Sequence, residues 1–308
     1  MLWFYGLMFA MNRSLQGNLI AISAFAVWGL TPLFYGVLDG QNTFELLAHR
    51  IIWSVPVVFL FSYLMNIRFN FSRILADQRS LFYSFLAASV MCVSWYAFIY
   101  AVTHKQVLTA SLGFFINPLI TIALSILLLK EKPTMGQVLA IVLSVLGVGY
   151  LILTTGQLPI LALLMGGFFA LYGVLKKQVH YDAMTSVMVE SVVLLPFALG
   201  FFAYQVATGS SVFMHSSPMT QLYFMLTAPV TLVPVILFSL ALRRTSLTAI
   251  GFIQYLEPSL QFILATWIFG EVLDMHKLVT FVFIWTGLLC CMIKWPVRQV
   301  HESLKISK

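Results

Sequence analysis

Five ionisable side chains lie inside long apolar stretches of this sequence: Glu45, His49, Arg50, Glu190 and Glu257. A charge in a hydrocarbon medium is costly, so such residues are candidates for ligand binding, proton transfer or charge pairing. Burial favours the neutral form of a carboxylic acid, so Glu190 or Glu257 is a candidate proton carrier. A buried arginine instead pairs with an acid or binds an anion. These residue types therefore favour binding chemistry within an apolar medium.

Two stretches, 109–118 and 248–258, combine a glycine, a polar residue and a proline within apolar runs. A proline removes one backbone hydrogen bond and bends its helix, and the released carbonyl group needs another partner where water is absent. We therefore expect helix kinks at Pro118 and Pro258, beside a polar cavity. The polar residues expected to line it with Arg50 are Asn117, Gln254, Tyr255 and Glu257.

Composition places these stretches in a polytopic membrane protein. The chain has 308 residues, of which 61% are hydrophobic and 9% are charged, and its mean hydropathy is +0.96. A spanning helix needs about 20 apolar residues, and the apolar runs are continuous rather than alternating, which favours helices over barrel strands. The ten predicted transmembrane helices are 18–38, 44–65, 81–102, 107–129, 135–153, 158–175, 183–204, 219–242, 247–268 and 277–294.

The basic residues predict the orientation of these helices. With a cytoplasmic N-terminus, 14 of the 17 lysines and arginines fall inside, two fall outside, and Arg50 lies within a span. Basic loops favour the cytoplasmic side, so both termini are predicted to be cytoplasmic. The net charge of +7 is then a topology signal, and no nucleic-acid partner is expected.

The sequence also repeats itself at a spacing of 140 residues. The matched pairs are Pro56 and Pro196, Pro118 and Pro258, Glu131 and Glu271, and Gly147 and Gly287. Because each half holds five helices, an odd number, the second half enters the membrane from the opposite side, which predicts two inverted five-helix repeats. The predicted divisions are an N-terminal extension and cytoplasmic start (1–16), the repeats (17–155 and 156–295) and a cytoplasmic tail (296–308).

Partners for the buried charges follow from their depths. Arg50 and Glu190 are equivalent at the spacing of 140, but their heights differ by about 10 Å, so an Arg50–Glu257 ion pair is favoured over an Arg50–Glu190 pair. The alternative is that Arg50 binds backbone carbonyls or a substrate anion. Glu190 has no obvious partner in its own helix; it is either bonded across helices or a coupling or substrate group.

Glu45 and His49 lie one helical turn apart near the outer surface. An interfacial polar face is the favoured interpretation, and a proton relay is the alternative. Gly113 and Gly251 are expected to let helices approach closely.

Catalytic signatures are absent from the sequence. There is no nucleophile elbow, P-loop or HExxH motif, and the three cysteines, Cys92, Cys290 and Cys291, lie in apolar runs without metal-ligand spacing. We expect no enzyme activity, cofactor or metal. A receptor or scaffold would not need repeated kinks, and a lipid-modifying enzyme would need more histidine or acidic residues than Glu45 and His49.

Several motifs resemble the RarD family, in the EamA branch of the drug/metabolite transporter superfamily. They are His49-Arg-Ile-Ile-Trp-Ser54, Ser111-Leu-Gly-Phe-Phe-Ile-Asn-Pro-Leu119, Tyr172-Gly173 followed by Lys176-Lys177, Glu190 with Pro196, and Gly251-Phe-Ile-Gln-Tyr255. The likeness runs from about residue 17 to 295. It implies ten helices in two inverted repeats and solute transport by alternating access in a bacterial inner membrane. Members are named for chloramphenicol sensitivity or resistance.

Two departures from the family pattern carry their own predictions. Residues 1–10 look additional, so Met11 is predicted to be the initiator. The position of Glu257 is usually small in the family, which makes Glu257 a candidate specificity element of this chain. Taken together, the residues predict a secondary transporter (permease) whose partners are the lipid bilayer, a small organic solute and, as a coupling ion, protons.

Overall fold

The computed structural model describes residues 13–129, 134–242, 244–245 and 253–292. Within these ranges every regular element is helical, which confirms the predicted all-helical class. The expectations for Met11, Glu131, Gly251 and the tail 296–308 concern residues outside these ranges. The helices are α1 (Arg13–Gly36), α2 (Thr43–Leu64), α3 (Phe71–Ala76), α4 (Gln78–Thr103), α5 (Val107–Leu129), α6 (Met135–Thr155), α7 (Ile160–Lys176), α8 (Ala183–Ala207), α9 (Val212–His215), α10 (Pro218–Leu242), α11 (Leu256–Ile263), followed by a π-helical turn (Leu264–Ile268), and α12 (Met275–Met292).

Six of these helices are long and apolar enough to cross a membrane: α1, α2, α4, α6, α8 and α10. Three shorter apolar helices fall in the predicted spans at 107–129, 158–175 and 277–294. The ninth predicted span is described only from residue 253 onward, as α11 and the π-helical turn. The chain is a multi-pass membrane protein, and the count of ten spans stays a prediction.

The helix starts are specified by capping residues that recur at the spacing of 140. Asn42 accepts a hydrogen bond from the amide three residues later, and Asp182 does the same. Such side chains satisfy amides that the first helical turn leaves without partners. Residues that cap in this way at a spacing of 140 are Asn42 and Asp182, Asp77 and Ser217, and Thr134 and Asp274. The repeat thus extends from the apolar motifs to the helix boundaries.

The chain divides into two compact units. Of the described residues, the first comprises 13–121, 159–242, 244–245 and 253–273. In it α4 packs on α7, α1 on α10, and α2 on both α8 and α10. These pairings enclose two apolar clusters, one around Ala21 and Phe25 and the other around Val58 and Met188.

The second unit comprises, of the described residues, 122–129, 134–158 and 274–292, and it is built on the packing of α6 against α12. A Cβ atom on Gly147 would lie 3.2 Å from the Thr280 carbonyl oxygen, and one on Gly287 would lie 3.1 Å from the Ala140 Cα. The two contacts exchange equivalent positions at the spacing of 140, which is the pattern of a two-fold related pair. Between these two contacts the residue number falls along α6 and rises along α12, so the two helices are antiparallel.

Candidate functional site

The first unit contains a cavity of about 450 Å³, a volume typical of small-molecule sites. Eight of the nine predicted site residues line it: Arg50, Asn117, Pro118, Glu190, Gln254, Tyr255, Glu257 and Pro258. The remaining wall is largely apolar, and its aromatic members include Trp28, Trp95, Phe98, Phe114, Phe169, Tyr172 and Phe238. His49 is not part of the lining. The structure therefore brings together the residues around the two prolines and the buried arginine.

Arg50 is held by neutral groups rather than by an acid. Its Nε donates a 3.2 Å hydrogen bond to Thr231 Oγ1, and its guanidinium carbon lies 3.8 Å from the centroid of the Trp95 ring. Within the described part of the chain, no carboxylate forms an ion pair with Arg50. The predicted Arg50–Glu257 pair is therefore wrong, because Thr231 and Trp95 hold the guanidinium elsewhere in the cavity wall.

Glu257 lies in the first turn of α11, directly after a turn at Gln254 and Tyr255. Its Oε1 accepts a 3.4 Å hydrogen bond from Gln261 Nε2, one helical turn further on. A carboxylate is favoured at a helix N-terminus, where the backbone dipole is positive. Pro258 follows in the same turn, where a missing N–H costs little, whereas Pro118 lies well inside α5.

Glu190 belongs to a polar network between α7 and α8. Its Oε1 lies 2.5 Å from Lys176 Nζ and accepts from Ser186 Oγ at 3.1 Å, while Oε2 accepts from Tyr172 OH at 3.1 Å. The expectation that Glu190 lacks a partner in its own helix is wrong, because Ser186 lies one turn before it. The bonds from α7 agree with the cross-helix interpretation.

Lys176 is a cavity residue that sequence reasoning missed. The sequence places it among the cytoplasmic loop charges, one residue beyond the predicted span 158–175, but α7 extends to include it and it lines the cavity. A signal was present, because Tyr172 and Lys176 are separated by four residues and so share one helix face.

Asn117 joins α5 to α7, because its Nδ2 donates a 3.0 Å hydrogen bond to the Gly166 carbonyl oxygen. The two backbones are close at this crossing: a Cβ on Gly166 would lie 2.8 Å from the Gly113 carbonyl oxygen. The predicted close approach at Gly113 is confirmed. Asn117 thus combines a position in the cavity wall with a bond that fixes a tight helix crossing.

Glu45 and His49 are not among the residues that line the cavity, and they are 0% and 2% exposed. The predicted interfacial polar face is wrong, because α9 and the adjoining chain cover this helix end. The Glu45 carboxylate accepts hydrogen bonds from Ser211 Oγ at 2.6 Å, from Val212 N at 2.8 Å and from Phe213 N. The His49 ring stacks on Phe213 with centroids 4.1 Å apart. A proton relay through these residues stays a prediction.

Two aromatic rings at equivalent positions meet in this unit. Phe115 and Tyr255 are separated by 140 residues, and their rings lie nearly parallel with centroids 6.5 Å apart. A residue that contacts its own counterpart lies near a two-fold axis. The two proline-containing stretches therefore meet beside the cavity.

Comparison with known proteins gives the family. Residues 15–153 match the EamA-like transporter family. Protein RarD of Salmonella typhi is 36% identical over 90% of this chain and 94% of its own length. An uncharacterized transporter of Vibrio cholerae is 31% identical over 89% of this chain and 91% of its own length.

A solved crystal structure resembles the fold with a TM-score of 0.56 at 14% sequence identity, over 91% of this chain and 98% of its own chain. At that identity the likeness concerns the fold alone. The sequence relatives carry the assignment: the chain belongs to the RarD family, in the EamA branch of the drug/metabolite transporter superfamily, and is a multi-pass membrane transporter.

Proposed function

We propose that this transporter is a secondary permease that moves small organic solutes by alternating access around the cavity of the first unit. The observation that carries the proposal is the meeting of the two proline-containing stretches at Phe115 and Tyr255, beside a cavity of about 450 Å³. Transporters built from inverted repeats bind their substrates where the repeats meet, at interrupted helices. The break in helical structure at Gln254 and Tyr255 supports the same interpretation.

We further propose that residues 17–155 and 156–295 are inverted five-helix repeats in the bacterial inner membrane, with both termini cytoplasmic. Three observations support this proposal: the caps that recur at a spacing of 140, the contact between Phe115 and Tyr255, and the exchanged contacts of Gly147 and Gly287. Reporter fusions at both ends test the topology. A periplasmic location for either terminus would contradict it.

Proton coupling is the energy source that the cavity favours. Glu257 lines the cavity and accepts a hydrogen bond only from Gln261 among the described residues, whereas Glu190 is paired with Lys176. Glu257 is therefore the better candidate for a group that gains and loses a proton during transport. A coupling role for Glu190 would require its ion pair to open.

The transport proposal is tested with purified protein in liposomes, by counterflow of a panel of labelled organic solutes. Gly173 lines the cavity and has open space around it, while Gly167 lies in the same helix, also in open space, but outside the lining. We expect Gly173→Phe to reduce counterflow to the level of empty liposomes and Gly167→Phe to leave it near the wild-type rate. Equal rates in the two variants would show that solute does not pass through this cavity.

Coupling is tested separately with an imposed pH gradient. We expect the gradient to drive net uptake in the wild type, and Glu257→Gln to lose this uptake while keeping counterflow, because exchange needs no net proton movement. Uptake in Glu257→Gln that still follows the gradient would assign coupling to another group.

A further inference from the structure

We propose that Arg50 binds a carboxylate of the transported solute, so that the substrates are small organic acids with an aromatic or other apolar body. This inference rests on the proposed transport through the cavity and specifies the substrate class. Arg50 lines an apolar cavity and has no acidic partner among the described residues.

The guanidinium of Arg50 is already oriented for an anion. The face of the Trp95 ring lies 3.8 Å from its central carbon, and Thr231 Oγ1 accepts from Nε. Thr231 in turn donates its own proton to the Thr227 carbonyl oxygen at 2.9 Å, which leaves its oxygen to accept. The terminal nitrogens of Arg50 have no acceptor among the described residues, and these two nitrogens form the fork that binds both oxygens of a carboxylate.

Neither acidic group of the cavity contacts Arg50 within the described part of the chain. Lys176 and Glu190 neutralise each other at 2.5 Å, and Glu257 accepts from Gln261 without contacting a basic group in the described part of the chain. An arginine in a low-dielectric site is stabilised by an anion because water no longer screens its charge. A carboxylate matches a guanidinium that has no bonded acid better than a neutral or cationic group does.

The rest of the cavity wall indicates the body of the solute. Trp28, Phe98, Phe114, Phe169 and Phe238 provide apolar surface around the arginine. This combination favours an amphiphilic acid over a sugar or a polyamine.

The test compares binding of matched carboxylate and amide probes to the full-length protein in lipid nanodiscs. The probes are 3-phenylpropionate, indole-3-acetate, benzoate and hexanoate, each with its primary amide, and binding is measured by titration calorimetry. We expect at least one carboxylate to bind roughly tenfold or more tightly than its amide, which is the size of a charge-assisted hydrogen bond. In Arg50→Gln this preference should vanish, while the amide keeps its affinity within about threefold, which also reports that the cavity is intact.

Two variants complete the test. Arg50→Lys should keep part of the preference, because it retains the charge but loses the bidentate fork. Lys105→Gln removes a surface charge that is 74% exposed and lies outside the cavity lining, and it should leave the preference unchanged. The inference is overturned if no carboxylate binds better than its amide, or if Arg50→Gln retains the preference.

The same probes separate this inference from the proposed function. Counterflow of the amides without the carboxylates would keep the transport proposal and reject the assignment of organic acids. Arg50-dependent binding of a carboxylate without any flux in liposomes would keep the anion site and reject transport.

Discussion

The hydroxyl of Ser111 donates a 2.9 Å hydrogen bond to the carbonyl oxygen of Pro258. Both residues are buried, and each belongs to one of the two proline-containing stretches. Together with the ring contact of Phe115 and Tyr255, this bond connects α5 to the start of α11 beside the cavity. The two stretches are therefore joined by a specific polar contact as well as by packing.

Ser111→Ala removes this bond. We expect a loss of about 0.6–1.5 kcal/mol in the free energy of unfolding, the range for hydrogen bonds in membrane proteins and in proteins generally, together with slower counterflow. Urea or thermal unfolding in detergent and the liposome assay measure the two effects. Ser89→Ala is the control, because Ser89 Oγ bonds only within its own helix, to the Phe85 carbonyl. Equal effects in the two variants would show that the bond from Ser111 to Pro258 contributes no more to stability or to counterflow than a bond within one helix does.

Lys176→Met leaves Glu190 as a half-buried charge without its cation. The side chains of the pair are 25% and 14% exposed, so we expect a loss near the lower end of the range for broken buried pairs, about 3 kcal/mol. Adding Glu190→Gln to Lys176→Met should recover much of this loss, because the unpaired charge is removed. The free energies of unfolding of the two single variants and the double variant give the coupling energy.

The surface pair of Lys105 and Asp39 provides the comparison for the coupling energy of Lys176 and Glu190. Its side chains are 74% and 47% exposed. Its coupling energy should be below about 1 kcal/mol, because water screens it. A coupling energy for Lys176 and Glu190 as small as this would mean that the cavity side of the network is open to water.

Gly166→Ala places a methyl group 2.8 Å from the Gly113 carbonyl oxygen. Because the obstacle is backbone, α5 and α7 must separate, and the bond from Asn117 to Gly166 is lost with that movement. We expect a lower unfolding temperature and a strongly reduced transport rate. Gly167→Ala has nothing within 4 Å and should be neutral or stabilise the helix by up to about 1 kcal/mol, the difference in helix propensity. A Gly166→Ala protein as stable and active as Gly167→Ala would contradict the described crossing.

Glu45→Gln removes one of two acceptor oxygens that hold the start of α9. Oε1 accepts from Ser211 and Phe213, and Oε2 accepts from Val212. We expect a loss of about 1.5–3 kcal/mol, the range for hydrogen bonds to charged groups, and faster hydrogen exchange at the amides of Val212 and Phe213. Asn70→Ala, which removes the cap of α3, should leave exchange at those two amides unchanged. Unchanged exchange in Glu45→Gln would show that α9 does not depend on this carboxylate.

Most of the helical segments and most of the cavity residues could be predicted from the sequence, because run length and residue spacing are properties of the linear chain. Apolar run length separates spans from loops, and outside the ninth span the long described helices follow the predicted segments to within a few residues. The short helices α3 and α9 lie between predicted segments and were not predicted. The spacing of 140 identified Pro118, Pro258 and their polar neighbours as related positions, and eight of the nine predicted site residues line one cavity. The same spacing, applied to capping residues, would also have located the helix starts, for example at Asn42 and Asp182.

The partners of individual side chains required the tertiary structure. Depth along a helix suggested an ion pair of Arg50 with Glu257, yet Arg50 lies on Trp95 and Thr231, and Lys176 rather than Arg50 meets an acid. Burial of Glu45 likewise depends on α9, which is distant in sequence. The long apolar runs and the positions that recur at a spacing of 140 are visible in the sequence, because hydrophobic length and spacing are properties of the chain alone. Which polar groups meet is visible only in the folded protein, because it depends on how each helix is rotated and displaced against its neighbours, which neither depth nor periodicity specifies.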